Sequence, residues 1–301
     1  MDTTLNESVV LETELSGIPV HRRGKVRDVY EVEDYLLIVA TDRISAFDVV
    51  LPTGIPDKGK VLNQLSLHWF ARTEHIQANH MVTADVDEYP VSLGEWRERL
   101  EKRSMLVRRA QPIPFECVVR GYLYGGGLKE YQRTGEVSGI ELPPGLKQAE
   151  KFPEPLFTPS TKEESGHDVP VSQDVLVNEL GSELAKRLKD VSLKLYQYGR
   201  QEAEEKGIII ADTKFEFGLD GDELIVIDEL MTPDSSRFWP RESFAPDRAQ
   251  PSFDKQFVRD YLGTLDWDKT PPGPELPDAV VAGTRERYWQ VFRALTERTA
   301  L

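Results

Sequence analysis

Between residues 208 and 230 the apolar and polar positions run in two distinct phases. In Ile208-Ile-Ile-Ala-Asp-Thr-Lys-Phe-Glu-Phe-Gly218, alternation along a predicted strand puts Asp212, Lys214 and Glu216 on one face and Phe215 and Phe217 on the other. Leu224-Ile-Val-Ile-Asp-Glu-Leu230 is apolar almost throughout, which predicts a returning strand buried on both faces and places Asp228 and Glu229 where acids are costly. A charged row beside such a strand is either a solvated outer face or the lining of a cleft, and the buried partner favours the cleft. A two-residue turn would split Glu216 and Asp228 between the faces. A three-residue turn, Asp220-Gly221-Asp222, pairs Glu216 with Val226 and makes Asp228 a diagonal neighbour on the same face, roughly 7–8 Å away. Two carboxylates so placed can share a hard divalent cation and its water shell.

The same periodicities organise the rest of the chain. Val26–Val32 and Tyr35–Ala40 read as strands, Val61–Gln77 as an amphipathic helix on Leu62, Leu65, Trp69 and Phe70, and Met105–Arg108 as a strand closing an N-terminal unit. Pro112 and Pro114 predict a stiff connector, Phe115–Val119 a short buried strand, and Gly121-Tyr-Leu-Tyr-Gly-Gly-Gly127 an open glycine-rich loop. Residues 139–171, rich in Pro, Gly, Ser and charge, predict one long loop that includes His167. Ser182–Lys206 reads as a helix buried through Leu184, Leu188, Val191, Leu195 and Tyr198, with Gly207 as its stop. Past a linker at Pro271-Pro-Gly-Pro, Asp278 is expected to cap a last helix.

Composition narrows the chemistry. At 301 residues with 39% hydrophobic residues the chain can bury a large core or fill two domains. A net charge of −15 argues against a nucleic-acid or anionic-membrane binder, so an anionic ligand needs a local basic pocket. One cysteine, Cys117, excludes an internal disulfide and reads as a small core residue. The N-terminal residues lack a basic and apolar leader pattern, and no apolar run approaches the ~20 residues of a membrane span, so a soluble cytoplasmic protein is expected. The five histidines show no zinc-site spacing, and no Gly-x-Ser-x-Gly elbow is present. Carboxylates, arginines, lysines and glycines remain, a set suited to positioning anions and a hydrated metal.

Gly24-Lys25 before a strand is a plain turn or a phosphate contact, and it lacks P-loop spacing. Thr41-Asp-Arg-Ile-Ser-Ala-Phe-Asp48 gathers polar groups at a strand end, either as a simple polar turn or as site residues.

With these segments in view, the chain closely resembles the SAICAR synthetase (phosphoribosylaminoimidazole-succinocarboxamide synthase) family of purine biosynthesis. The resemblance rests on Gly-Lys-Val-Arg-Asp-Val-Tyr at 24–30, Ser-Ala-Phe-Asp at 45–48, Lys-Gly-Lys-Val-Leu-Asn at 58–63, Pro-Phe-Glu-Cys-Val-Val-Arg-Gly-Tyr at 114–122, Ala-Asp-Thr-Lys-Phe-Glu-Phe-Gly at 211–218 and Asp-Glu-Leu-Met-Thr-Pro-Asp-Ser-Ser-Arg at 228–237. It implies an α+β, ATP-grasp-like fold: a small N-terminal antiparallel-sheet domain, residues 1–110, over a larger domain, residues 111–301, with C-terminal helices. The implied reaction joins carboxyaminoimidazole ribonucleotide (CAIR) to L-aspartate at the expense of ATP, through an acyl phosphate, giving SAICAR, ADP and phosphate. By the same resemblance Gly24, Lys25, Arg27 and Glu116 contact ATP, and Glu216 and Asp228 hold Mg²⁺. Ser45, Arg120, Gly126, Asp234 and Arg237 bind the ribonucleotide; Asp48, Asp212 and Lys214 line the reaction centre. Gly126 stands where the family's usual pattern has serine, so its backbone N–H or a water would make that contact. The implied partners are small molecules only, on a monomer, with a dimer as the alternative. A small-molecule kinase and a non-catalytic nucleotide-binding module are the two rival classes.

Overall fold

The structure, a computed structural model, describes residues 9–162 and 168–301. Residues 163–167 of the expected loop, His167 among them, lie outside the described residues. The chain divides into two compact units. One holds Met1–Phe70, His80–Arg109 and Phe253–Leu301; the other holds Ala71–Asn79 and Ala110–Ser252.

In the first unit, β1 (Val20–Arg23), β2 (Arg27–Val32) and β3 (Tyr35–Ala40) follow the predicted strand pattern. β4 (Ser45–Ala46) and β5 (Val49–Val50) form a small hairpin, and α1 (Lys58–Thr73) starts three residues before the expected Val61 and ends four before Gln77. β6 (Met81–Thr83) and β7 (Ser104–Arg108), with the short helix α2 (Arg97–Leu100) between them in sequence, complete a five-stranded antiparallel sheet, ordered β1-β2-β3-β7-β6. Its inner face buries Tyr30, Leu37, Val39, Leu93 and Leu106. A second apolar cluster joins Ile44, Leu51 and Ile55 to Val258, Leu262, Leu276 and Val280. At ~1.5–3 kcal/mol per buried large aliphatic side chain, this cluster draws the C-terminal helices Gln256–Leu262 and Asp278–Thr296 into the first unit, so the expected boundary of a 111–301 domain does not hold. Asp278 is the first helical residue rather than the cap, a place Pro277 takes.

The second unit is built on β8 (Gln111–Tyr122), which continues as one strand through Pro112 and Pro114, its register against a neighbouring strand shifting there. α3 (Gly125–Thr134) begins inside the glycine run that the sequence suggests as loop. β9 (Glu136–Val137) and β10 (Ile140–Glu141) make a small ribbon. The expected long loop contains β11 (Lys151–Phe157) and β12 (Ser160–Thr161). Pro153 and Pro155 obscure β11 in the sequence; it is an edge strand with an irregular register, the position where missing N–H donors are tolerated. After α4 (Gln173–Leu180) and α5 (Ser182–Glu205) come β13 (Ile208–Asp220), β14 (Glu223–Ile227) and β15 (Ser236–Pro240). The six strands form one antiparallel sheet in the order β11-β8-β13-β14, with β12 also beside β8 and β15 beside β13.

α5 turns Ala185, Leu188, Ser192, Leu195, Tyr196, Gly199 and Ala203 inward, a face rotated from the predicted one and rich in small residues. Small residues permit close approach. A Cβ on Gly121 of β8 would lie 2.0 Å from the Tyr196 hydroxyl, which donates to the Ile210 carbonyl at 2.8 Å. Cys117 is fully buried on this side, and burial pushes its thiol up to about 12, so it serves packing rather than chemistry.

Candidate active site

The opposite side of β8 and β13 carries the charged row. The register places Arg120 opposite Asp212, Val118 opposite Lys214 and Glu116 opposite Glu216. Like charges directly across a ladder repel, and here two ammonium groups offset that repulsion. Lys214 bonds Glu116 and lies 3.5 Å from Glu216 Oε1, while Lys162 pairs with Glu216 Oε2. Burial by itself would lower the Lys214 pKa, but Glu216 and Glu116 outweigh it and hold the ammonium charged. Glu116 is pushed up to about 7, chiefly by desolvation, against the opposing pull of Lys214.

A carboxyl raised from 4.5 to about 7 binds more protons folded than unfolded across that window, so its contribution to stability falls as pH rises through it. Glu116→Gln should therefore flatten the decline in melting temperature between pH 5 and pH 7.5. An unchanged slope in paired thermal melts would remove Glu116 as its source.

At Asp228 the hairpin departs from the expected register. The hairpin has a two-residue turn, pairing Asp220 with Glu223 and Glu216 with Ile227, not with Val226. A continued strand would send Asp228 to the far face. β14 stops at Ile227, so strand alternation does not extend to Asp228, which takes a left-handed φ of 68°, and its negative charge is among those that favour the Lys214 ammonium. Among the described residues no three His, Cys, Asp or Glu side chains gather as a metal cluster. Two hard carboxylates, Glu216 and Asp228, both acting on Lys214, still suit a cation whose remaining ligands come from phosphates and water.

Asp212 stands between two guanidinium groups. Arg120 Nη1 donates to its Oδ2 at 3.0 Å and Arg237 Nη1 to the same oxygen at 2.5 Å. Arg120 Nε also donates to Thr158 Oγ1 at 3.1 Å, and Arg237 lies 5.8 Å from the Tyr124 ring. Both arginines border the N-terminus of α3. A Cβ on Gly125, where φ is +58°, would lie 2.5 Å from Arg237 Nη2, and one on Gly127 would lie 3.3 Å from Arg120 Cδ. The first bond of the helix is Leu128 N–H to Tyr124 O at 3.4 Å, so the N–H groups of Gly125, Gly126 and Gly127 precede the ladder, and no side chain caps them. Backbone donors, the positive end of a ten-residue helix and two guanidinium groups make an anion cradle. Gly126 has open space around its Cβ position. Asp234 is half-buried in the turn before β15, its N–H bonded to Thr232 Oγ1 at 3.2 Å.

The remaining candidates lie in the first unit. Gly24 and Lys25 form the turn between β1 and β2, with Gly24 N–H donating to Arg27 O at 2.8 Å; Arg27 opens β2 opposite Ala40. Lys25 is ion-paired with Asp48. Ser45 is buried on β4, and the β4–β5 turn is Phe47-Asp48, both with positive φ, at 53° and 63°. Such a primed turn normally takes Asn-Gly, so here the backbone accepts strain to present Asp48. Lys162, Thr158 and Tyr124 were not named as site residues by sequence reasoning. Thr158 and Lys162 flank β12 and reach the row through its pairing with β8, and Tyr124 stands at the start of α3 beside Arg237.

The fold is α+β, with a row of paired acids and bases on one sheet face and two arginines beside a helix N-terminus. A family model described as SAICAR synthetase matches residues 20–274. A phosphoribosylaminoimidazole-succinocarboxamide synthase of Thermodesulfovibrio yellowstonii is 58% identical over 96% of this chain and 99% of its own. The solved SAICAR-synthase from Saccharomyces cerevisiae, complexed with SAICAR, is 43% identical, with a TM-score of 0.88 over 97% of this chain and 99% of that one. A type-2 SAICAR synthetase structure in complex with ADP, 23% identical with a TM-score of 0.67 over 93% of this chain and 99% of that one, shares the fold. The chain belongs to the SAICAR synthetase family and is a ligase of that family.

Proposed function

We propose that the chain joins the carboxylate of CAIR to the amine of L-aspartate, with ATP converted to ADP and phosphate. The observation that carries this reading is the cradle of Arg120, Arg237 and the α3 N-terminus, which suits the phosphate of a ribonucleotide. A CAIR carboxylate oxygen takes the γ-phosphoryl group from ATP and ADP leaves. The aspartate nitrogen then attacks the acyl carbon, phosphate departs with the C–O bond, and the amide nitrogen loses its proton.

The chain's own residues supply position and charge. Lys214, held charged by Glu116 and Glu216, balances developing negative charge on the phosphoryl oxygens. Asp212 fixes both guanidinium groups from behind rather than acting on the reacting atoms. Lys25 and the Gly24 turn would contact the ATP phosphates, with Arg27 and Glu116 toward the rest of the nucleotide. Ser45 and Asp234 would contact the ribonucleotide and Asp48 the reaction centre. Mg²⁺ held by Glu216 and Asp228 would neutralise the β- and γ-phosphate oxygens. The proposed setting is the cytoplasm, with small-molecule partners alone and a monomer or a dimer as the acting form; no helix among the described residues is long and apolar enough to cross a membrane.

Phosphate release from ATP and CAIR, measured with and without aspartate, tests this. Release coupled to SAICAR formation only when aspartate is present is the expected result. Phosphoryl transfer to a stable product without aspartate would point to a kinase, and binding without turnover to a nucleotide-binding module.

A further inference from the structure

Arg43 lies in the segment between β3 and β4 and is bonded to neither Lys25 nor Asp48 through their side chains. Its guanidinium donates to four acceptors: Leu11 O at 2.5 Å, Gly24 O at 2.9 Å, Lys25 O at 3.1 Å and Asp28 Oδ1 at 2.9 Å. Asp28 is fully buried and is itself anchored by Thr13, whose N–H and hydroxyl both donate to Oδ2 at 2.8 Å. Two residues before Arg43, Thr41 donates to Val26 O through its N–H at 3.0 Å and its hydroxyl at 2.8 Å. All three carbonyls of the Gly24-Lys25-Val26 turn are therefore tied to residues 41–43. In a trans peptide the N–H points opposite to the carbonyl. Fixing the Gly24 and Lys25 carbonyls on Arg43 thus turns the N–H groups of Lys25 and Val26 to the side away from its guanidinium, on the same turn that carries the Lys25 side chain.

We propose that Arg43 is a positioning residue for ATP: it holds the 24–26 turn in the shape that presents two backbone donors and one ammonium to the nucleotide phosphates. The proposal rests on the reading that Lys25 meets those phosphates. Arg43 touches no ligand itself. A guanidinium suits the role because its planar fork reaches four acceptors in fixed directions, which a lysine ammonium cannot reproduce.

The test is equilibrium binding of ATP alone and of CAIR alone to the full chain, so that no turnover occurs, with thermal melts alongside. Arg43→Met and Arg43→Lys should each weaken ATP binding at least about tenfold, a selective loss of preorganised donors, while CAIR binding moves less than about twofold. ATP affinity within twofold of the parent, or equal weakening of both ligands, would overturn the proposal. Lys25→Met separates the two readings. If it weakens ATP binding while the Arg43 variants do not, only the role of Arg43 fails; if it leaves ATP binding unchanged, the turn does not meet the phosphates and both readings fall. Should Arg43→Met not fold, Arg43→Lys decides on the same criteria.

Discussion

Replacing Asp228 by asparagine should lower kcat at least about a thousandfold, equivalent to roughly 4 kcal/mol, while the chain stays folded. Asparagine is nearly isosteric, and it tolerates the left-handed φ of 68° that this position requires, so the substitution removes charge without adding backbone strain. On the proposed reading the lost carboxylate would leave Glu216 as the one protein ligand to the cation, and Glu216 is already shared between Lys162 and Lys214. Turnover at saturating substrates and far-UV circular dichroism check both halves of the expectation. Near-parent activity at ordinary Mg²⁺ would take Asp228 out of the site. Asp228→Val makes a useful contrast, because a β-branched residue is strained at positive φ and should cost stability as well.

Arg237→Lys is expected to reduce kcat/KM for CAIR at least about tenfold, about 1.4 kcal/mol, with the KM for ATP changing much less. An arginine after a turn is often only solubilising. This one is held at three points: it donates to Asp212 at 2.5 Å, lies 5.8 Å from the Tyr124 ring, and occupies the space that the absent Gly125 side chain leaves. A lysine ammonium can keep Asp212 or meet the anion, but it cannot present a fork to both. Steady-state kinetics varying each substrate in turn supply the measurement. Equal losses for CAIR and ATP would indicate general damage, and no loss would return Arg237 to a surface role.

Which residues form the charged row was legible in the sequence because strand alternation is local: Asp212, Lys214 and Glu216 share a face by spacing alone. The motif order over residues 24–237 pointed to the family, and the matches to its members agree. Local patterning also located β2, β3, β7 and the body of α5, where apolar periodicity is regular. It misplaced elements where proline or glycine carries two meanings. Pro153 and Pro155 sit in an edge strand, and Gly125–Gly127 open a helix whose backbone must approach two guanidinium groups. It also rotated the buried face of α5, because Gly199 and Ala203 pack closely without a hydrophobic signature.

The sequence by itself determined the composition of the site: acids, lysines, arginines and glycines on named segments. Tertiary structure decided how they are grouped. Asp212 became the shared anchor of Arg120 and Arg237, Lys214 the bridge between Glu116 and Glu216, and Lys162 an added counter-charge, because β8, β13 and β15 pair across long stretches of chain. It also replaced the expected three-residue turn by a two-residue one and ended β14 at Ile227, with Asp228 beyond it at positive φ. Side-chain spacing fixes a face only while the backbone stays extended, and the dihedral that ends the extension is set by packing beyond the local segment.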